Sequence, residues 1–248
     1  MKNAAVRVGI GGWDYEPWRG TFYPPGLPKA KQLEHASRRV TAIEINATFY
    51  KLQNAELYAR WSAAVPDGFR FALKGSRFCT NRKVLGTAAE AVGKFCGQGF
   101  TALGDKLGPI CWQFAETKQF EPEDVEAFLA LLPREIGGLP LRHAVEAKHE
   151  SFRDRRFHSL ARAAGVAVAF GDDMLDEEPA AQFVYCRLKG MREEEPEGYE
   201  PAVLDRIAER ALEWAAGGRE VFLFMIDGAK LRAPAAAEAV LERLGRDG

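Results

Sequence analysis

The sequence predicts an α/β fold of the (β/α)8 TIM-barrel class, a single domain over residues 1–248. Eight short apolar runs begin near residues 6, 42, 70, 107, 142, 166, 183 and 220. Most end in a polar or charged cluster, and most are followed by a stretch able to form a helix. Eight strand-then-helix units in about 250 residues is what such a barrel needs, and its active sites sit at the C-terminal ends of the strands. An open doubly wound sheet shares this order of elements. Gly9-x-Gly11-Gly12 would then be its dinucleotide loop. That fingerprint is incomplete, because Asp14 stands where the third glycine belongs and no helix begins at once.

The first strand ends at Gly11-Gly12 and enters an aromatic, Pro-rich stretch from Trp13 to Pro25, read as a rigid loop over a pocket. Pro28 suits the first turn of a helix over 28–39, where its missing N–H costs nothing. In the second strand Glu44, Asn46 and Thr48 recur at period two and so share a face. Asn54 is placed to cap the next helix. Pro66-Asp67-Gly68 then turns the chain into the third strand. A segment over 77–105 holds a basic loop (Arg77, Arg82, Lys83) and a helix, and Gly108-Pro109 opens the fourth strand. A helix over 122–132 presents Val125, Phe128, Leu129 and Leu132 on one face. The fifth strand sets Glu146 and Lys148 opposite Val145 and Ala147. The sixth ends at Asp172-Asp173, with a short or missing helix after it. The seventh ends in Arg187-Leu188-Lys189-Gly190 and leads to a helix over 201–216. The eighth ends at Asp227-Gly228, and a last helix closes the ring near Leu244.

With 34 Lys+Arg against 35 Asp+Glu, the formal net charge of -1 gives no global field for DNA or an acidic membrane. It leaves room for a local patch. The four cysteines are scattered without a C-x-x-C, which fits buried reduced thiols in a cytoplasmic protein rather than zinc or disulfides. Arg7 and three glycines interrupt the N-terminal apolar stretch, so no signal peptide is expected. No run is long enough to span a membrane.

Six blocks, in order, resemble the YecE-like family of uncharacterised TIM-barrel proteins. They are Gly12-Trp13-x-Tyr15-x-x-Trp18-Arg19-Gly20-x-Phe22-Tyr23-Pro24; Glu44-Ile45-Asn46-x-Thr48-Phe49-Tyr50; Phe69-x-Phe71-x-x-Lys74; Leu107-Gly108-Pro109 with Gln113; Val145-Glu146 with His149; and Val184-Tyr185-x-Arg187-Leu188. The resemblance implies the barrel and supplies no established reaction. It also marks a divergent member. Lys148-His149-Glu150 stands where the family tends to have Arg-His-Pro, and Lys189-Gly190 replaces a His-Gly. Asn81 replaces a His, and Ile226-Asp227-Gly228 an Asn-rich end.

The candidate catalytic residues are Glu44, Glu146 and His149, the histidine nearest a strand end. His35, His143 and His158 read as structural or surface groups. The candidate ligand-binding residues are Trp18, Arg19, Asn46, Tyr50, Lys74, Arg77, Gln113, Lys148, Arg187 and Lys189, with Asp14, Asp172 and Asp227 alongside. If the strand faces are as read, Glu44, Lys74, Glu146, Lys148 and Arg187 point into the barrel, where charges must be paired. Such a ring either shifts pKa values for proton transfer or merely fills the barrel as an ion network. Arg19, Arg77, Arg82 and Lys83 can clamp a phosphate or carboxylate, or stand as solvated loop charges. Trp18 and Tyr50 can stack on a ligand or pack over the mouth. A divalent site from Asp172, Asp173, Asp227, Glu146 and His149 lacks any diagnostic spacing, so no metal and no cofactor is expected. No G-x-S-x-G is present, and Cys79 has no recognisable His partner.

These residues lead to an expected small anionic ligand, phosphorylated or carboxylated, held at the mouth by Lys74, Arg187 and Lys148. Glu44 and Glu146 would share acid/base work in a hydrolase or isomerase, one ionised and one with a raised pKa. The alternative is a non-catalytic barrel that binds nucleic acid or another ligand. No membrane partner is expected.

Overall fold

The computed structural model describes residues 5–175, 177–179 and 181–245, so the ends of the 1–248 span lie outside the described residues. Each predicted apolar run forms a strand. They are β1 (Val6–Gly11), β2 (Ala42–Ile45), β3 (Arg70–Lys74), β4 (Leu107–Gln113), β5 (His143–Glu146), β6 (Ala167–Val168), β7 (Phe183–Leu188) and β8 (Glu220–Met225). All pair in parallel, in the spatial order β6-β5-β4-β3-β2-β1-β8-β7. A single bridge, Phe170 to Cys186, joins the two ends of that order into a barrel. Its bonds run from the Phe170 N–H to the Tyr185 carbonyl and from the Arg187 N–H to the Phe170 carbonyl, both 2.8 Å. A short antiparallel hairpin, Glu135–Ile136 with Leu139–Pro140, precedes β5.

Period-two alternation decides what each strand buries. One set, including Val8, Ile43, Phe71, Trp112, Val145, Val184 and Leu223, packs in the larger core with the helices. The other set fills the barrel. Ala42, Ala72, Cys111, Ala144 and Ala167 are small, and Phe183, Tyr185, Phe222 and Phe224 from β7 and β8 occupy the space they leave. Gly9 belongs to this inner set. A Cβ there would lie 1.9 Å from the Ala42 carbonyl oxygen, so β1 and β2 depend on its bare backbone. At the N-terminal end Glu220 pairs with Arg7 at 3.4 Å and with Arg142.

The connecting helices are α1 (Gln32–Ala36), α2 (Ala47–Tyr50), α3 (Ala55–Ala64), α4 (Arg77–Thr80), α5 (Ala89–Cys96), α6 (Pro122–Ala130), α7 (Arg155–Ala164), α8 (Pro201–Ala216) and α9 (Ala233–Arg243). The Asn54 carboxamide oxygen accepts from the Leu57 N–H at 2.9 Å, which is the expected cap of α3. After β6, among the described residues, the connection to β7 holds only the three-residue 3-10 turn Asp172–Met174, the expected shortfall. The first helix is shorter than 28–39, because residues 29–31 form a 3-10 turn before α1.

Three expectations are corrected. β2 stops at Ile45, and Asn46 turns into αR (φ -81, ψ -21). Thr48 then sits in a helical turn, its hydroxyl bonded to the Ile45 and Lys74 carbonyls at 2.9 and 2.7 Å, and does not share Glu44's face. β6 stops at Val168 and β8 at Met225, short of the aspartates predicted to end them. The aromatic loop after β1 is a packed anchor rather than a cover. Trp18 is fully buried, and its indole N–H donates to the Lys230 carbonyl at 2.9 Å. Trp13 packs edge-on against Trp61 of α3 at 5.2 Å.

Candidate functional site

Six side chains meet at the C-terminal ends of the strands, where the barrel class places its chemistry. Glu44 is fully buried on β2. It accepts from the Tyr185 hydroxyl at 2.6 Å and from Nε and Nη2 of Arg187 at 3.1 and 3.0 Å. The third guanidinium nitrogen of Arg187 donates to Glu146, the last residue of β5. Glu146 also accepts from Gln113 at 2.5 Å, at the end of β4, and from the Lys189 ammonium just beyond β7. Arg187, 1% exposed, therefore clasps both carboxylates across the barrel. A buried ion persists only with this kind of pairing.

Burial alone would raise the Glu146 carboxyl pKa, but Arg187 and Lys189 outweigh it and bring the group down to about 2. Burial likewise works against charge on Arg187, and Glu44 and Glu146 raise it well above its ordinary value. Lys74, at the end of β3, is different. Its ammonium lies 4.4 Å over the Phe49 ring and has no ion-pair partner among the described residues. Burial first, and Arg187 second, lower its pKa.

The remaining predicted residues divide sharply. Gln113 and Lys189 belong to the ring, and the Asn46 amide nitrogen would stand 3.0 Å from a Cβ added at Gly11. Lys148 is at the rim, paired at 2.5 Å with the exposed Glu116. His149 caps a 3-10 turn, its Nδ1 taking the Ser151 N–H at 3.2 Å. It lines a cavity of about 320 Å³ beside Glu146 and Lys189, together with Phe157, His158 and Phe170. Tyr50 and Arg77 are exposed, the Arg77 guanidinium 5.8 Å from the Tyr50 ring centre. Trp18 has no surface left for a ligand, and Arg19 points outward beside Glu16 at 3.8 Å. Neither joins the ring.

Asp14 is taken by Lys29 at 2.5 Å. Asp172 accepts from the Lys189 and Gly190 N–H groups at 2.7 and 3.0 Å and from the Tyr199 hydroxyl at 2.6 Å, which leaves it shaping the loop after β7. Asp227 is exposed at φ +60. No cluster of three metal-ligating side chains occurs among the described residues. Burial raises the thiol pKa of Cys79 to about 12 and of Cys96 to about 11. His143 is structural, as expected, with its Nδ1 accepting from Trp112 at 3.1 Å. Sequence reasoning missed Tyr185 and Phe49. Tyr185 was findable, since it lies two residues before Arg187 on the same face.

The family profile described as "Protein of unknown function DUF72" matches residues 7–248. The UPF0759 protein YunF of Bacillus subtilis (strain 168) is 23% identical over 159 residues, which is 62% of this chain and 54% of that relative. The chain thus spans about half the length of this curated relative. A DUF72 family protein from Thermotoga maritima MSB8 has a similar structure, with a TM-score of 0.78 at 19% identity, covering 96% of this chain and 98% of that one. A second, from Enterococcus faecalis V583, gives 0.72 at 15% identity, with 97% of each chain covered. At these identities the likeness shows the fold. No helix among the described residues is long and apolar enough to cross a membrane.

Proposed function

The chain belongs to the DUF72 family, whose function is unknown, and on that premise we propose that its barrel mouth binds a small phosphorylated or carboxylated anion. The observation that carries this reading is Lys74. Around it the charges balance, Glu44 and Glu146 against Arg187 and Lys189. Protonated Lys74 adds one positive charge beyond that balance, and it feels Glu44 and Glu146 without forming an ion pair with either. An anion between Lys74 and Lys189 supplies the missing charge, and Lys148 stands at the rim to meet it. Arg187 acts indirectly, because each of its guanidinium nitrogens is engaged by one of the two glutamates and the side chain is 1% exposed.

The division of acid/base work changes with this geometry. Glu146, held down to about 2, stays ionised at neutral pH and is no general acid. Hydrolase or isomerase chemistry in this YecE-like chain would rest on His149 at the cavity wall, because a Lys74 that holds the anion keeps its proton. The nucleic-acid reading draws on Tyr50 and Arg77 at the rim rather than on the ring.

Lys74→Met tests the proposal. Calorimetric titration with phosphorylated and carboxylated compounds should show binding weakened by about 10- to 150-fold, the value of a charged hydrogen bond. The same variant should be more stable at pH 7, by about 0.5–2 kcal/mol. The sign follows from linkage. A lysine whose folded pKa lies below its unfolded value destabilises the fold while charged. Stability then rises as pH climbs from the folded pKa toward the ordinary 10.5, and that rise should vanish in Lys74→Met. Undiminished affinity in the variant would remove Lys74 from the site.

A further inference from the structure

Outside the ring, the rim beside β2 and β3 carries an exposed surface of unusual composition. Tyr50 and Phe78 are each 61% exposed and Leu52 41%, three of the seven large apolar side chains so exposed among the described residues. The Arg77 guanidinium lies between the two rings, 5.8 Å from the Tyr50 centre and 5.4 Å from the Phe78 centre. Tyr50, Leu52 and Phe78 line one hollow of about 470 Å³ with Lys51 and Arg82. Lys51, Arg77 and Lys83 form no ion pair with a carboxylate among the described residues, and Arg82 acts on Glu90 only at a distance. Arg82 donates instead to the Phe78 carbonyl at 2.6 Å. Glu90, the carboxylate in the hollow's lining, is taken by Lys94 at 2.5 Å.

Some surface arginines elsewhere are neutralised. Arg192, Arg210 and Arg243 each hold two or more carboxylates. Unanswered cations interleaved with exposed rings form the surface on which unstacked bases pack while phosphates meet charge. We propose that this rim, built on Tyr50, Arg77 and Phe78, is a binding platform for single-stranded nucleic acid. Duplex ends its fit here, because its bases are already stacked on one another and cannot lie on the rings. A second copy of this chain is a poorer occupant. Its acidic loop at 193–195 already pairs Glu194 and Glu195 with Arg192. The platform adjoins the mouth through Phe49, which stacks edge-on with Tyr50 at 5.1 Å and lies under Lys74.

Fluorescence anisotropy with a labelled oligothymidylate of about ten nucleotides tests this on the full chain. Binding should appear at low salt and fall with a slope of roughly -0.7 per phosphate engaged on a log–log plot. Tyr50→Ala and Phe78→Ala should each weaken it by about 5- to 150-fold, the range of base–aromatic stacking. Arg77→Ala should also flatten the salt slope, and a duplex of equal length should compete poorly. Both rings are exposed, so circular dichroism should show the variants folded. Phe78→Ala should leave calorimetric binding of small phosphorylated compounds at the mouth as in wild type, which separates this platform from the anion site. Three results would overturn the proposal. They are no binding at low salt, binding indifferent to loss of both rings, or a dimer in sedimentation that Phe78→Ala dissociates, which would give the surface to a second copy.

Discussion

Arg187→Leu should lower folding stability at pH 7 by about 3–5 kcal/mol, the cost of leaving a buried ion pair half-broken. The leucine removes three hydrogen bonds and strands two carboxylates, of which Glu44 is fully buried. A size effect and a charge effect separate by rescue. Adding Glu44→Gln to Arg187→Leu should recover part of the loss, whereas a mere cavity would not be relieved. The acid limb gives a second readout. In the wild type the Glu146 pKa is depressed from 4.5 to about 2. Its contribution is therefore fully present above 4.5 and lost as pH falls toward 2. That depression corresponds to roughly 3 kcal/mol. Urea unfolding between pH 7 and pH 2 should show this limb in the wild type and a much shallower one in Arg187→Leu. Equal acid limbs in the two proteins would mean that Arg187 does not hold Glu146 ionised.

Gly9→Ala should be the most damaging single-methyl change in the chain. The added Cβ would stand 1.9 Å from the Ala42 oxygen and 2.6 Å from its carbonyl carbon. Those are backbone atoms of the paired strand, so no rotamer change relieves the collision. Overpacked cores lose about 1–3 kcal/mol when side chains can adjust. Here two strands must part, and the expected loss is about 3 kcal/mol or more, seen as a lowered midpoint or as insoluble expression. Gly93→Ala is the matched control. Gly93 lies in α5 with nothing within 4 Å of where the methyl would sit, and the change should stabilise by about 1 kcal/mol through helix propensity. A Gly9→Ala protein as stable as wild type would show that β1 and β2 are not in this register.

All eight barrel strands were legible because alternation is local, whereas the two-residue strands of the hairpin at 135–140 are too short to show it. Each run announces which residues turn inward, and Glu44, Lys74, Glu146 and Arg187 were read that way; Lys148 was too, but it sits at the rim with Glu116, and Gln113 came with the resemblance. Their partners were not legible. The Arg187 fork reaches Glu44, 143 positions away in sequence, and spends itself there. Nothing in the spacing of either strand reveals that all three guanidinium nitrogens of Arg187 are engaged by glutamates. Trp18 failed for the same reason. Beside Arg19 it looks like a ligand contact, yet its indole is claimed by Lys230 from the far end of the chain. Strand ends were misplaced where a turn is fixed from outside, as at Thr48, whose hydroxyl bonds the last carbonyl of β3.

The closure between β6 and β7 has a thermodynamic consequence. β8 holds β7 over six residue pairs, but β6 contributes two residues to the sheet, and two backbone bonds complete the circle. Local opening starts where the fewest bonds must break. The barrel is a ribbon fastened by a weak clasp, and one of its two hooks is the amide of Arg187. Native-state deuterium uptake should thus be faster at Phe170 and Arg187 than at Leu223, inside the continuous ladder. The clasp lies beside the cavity that Lys189 overlooks, so an anion drawn to that lysine would slow the exchange and tighten the whole ring.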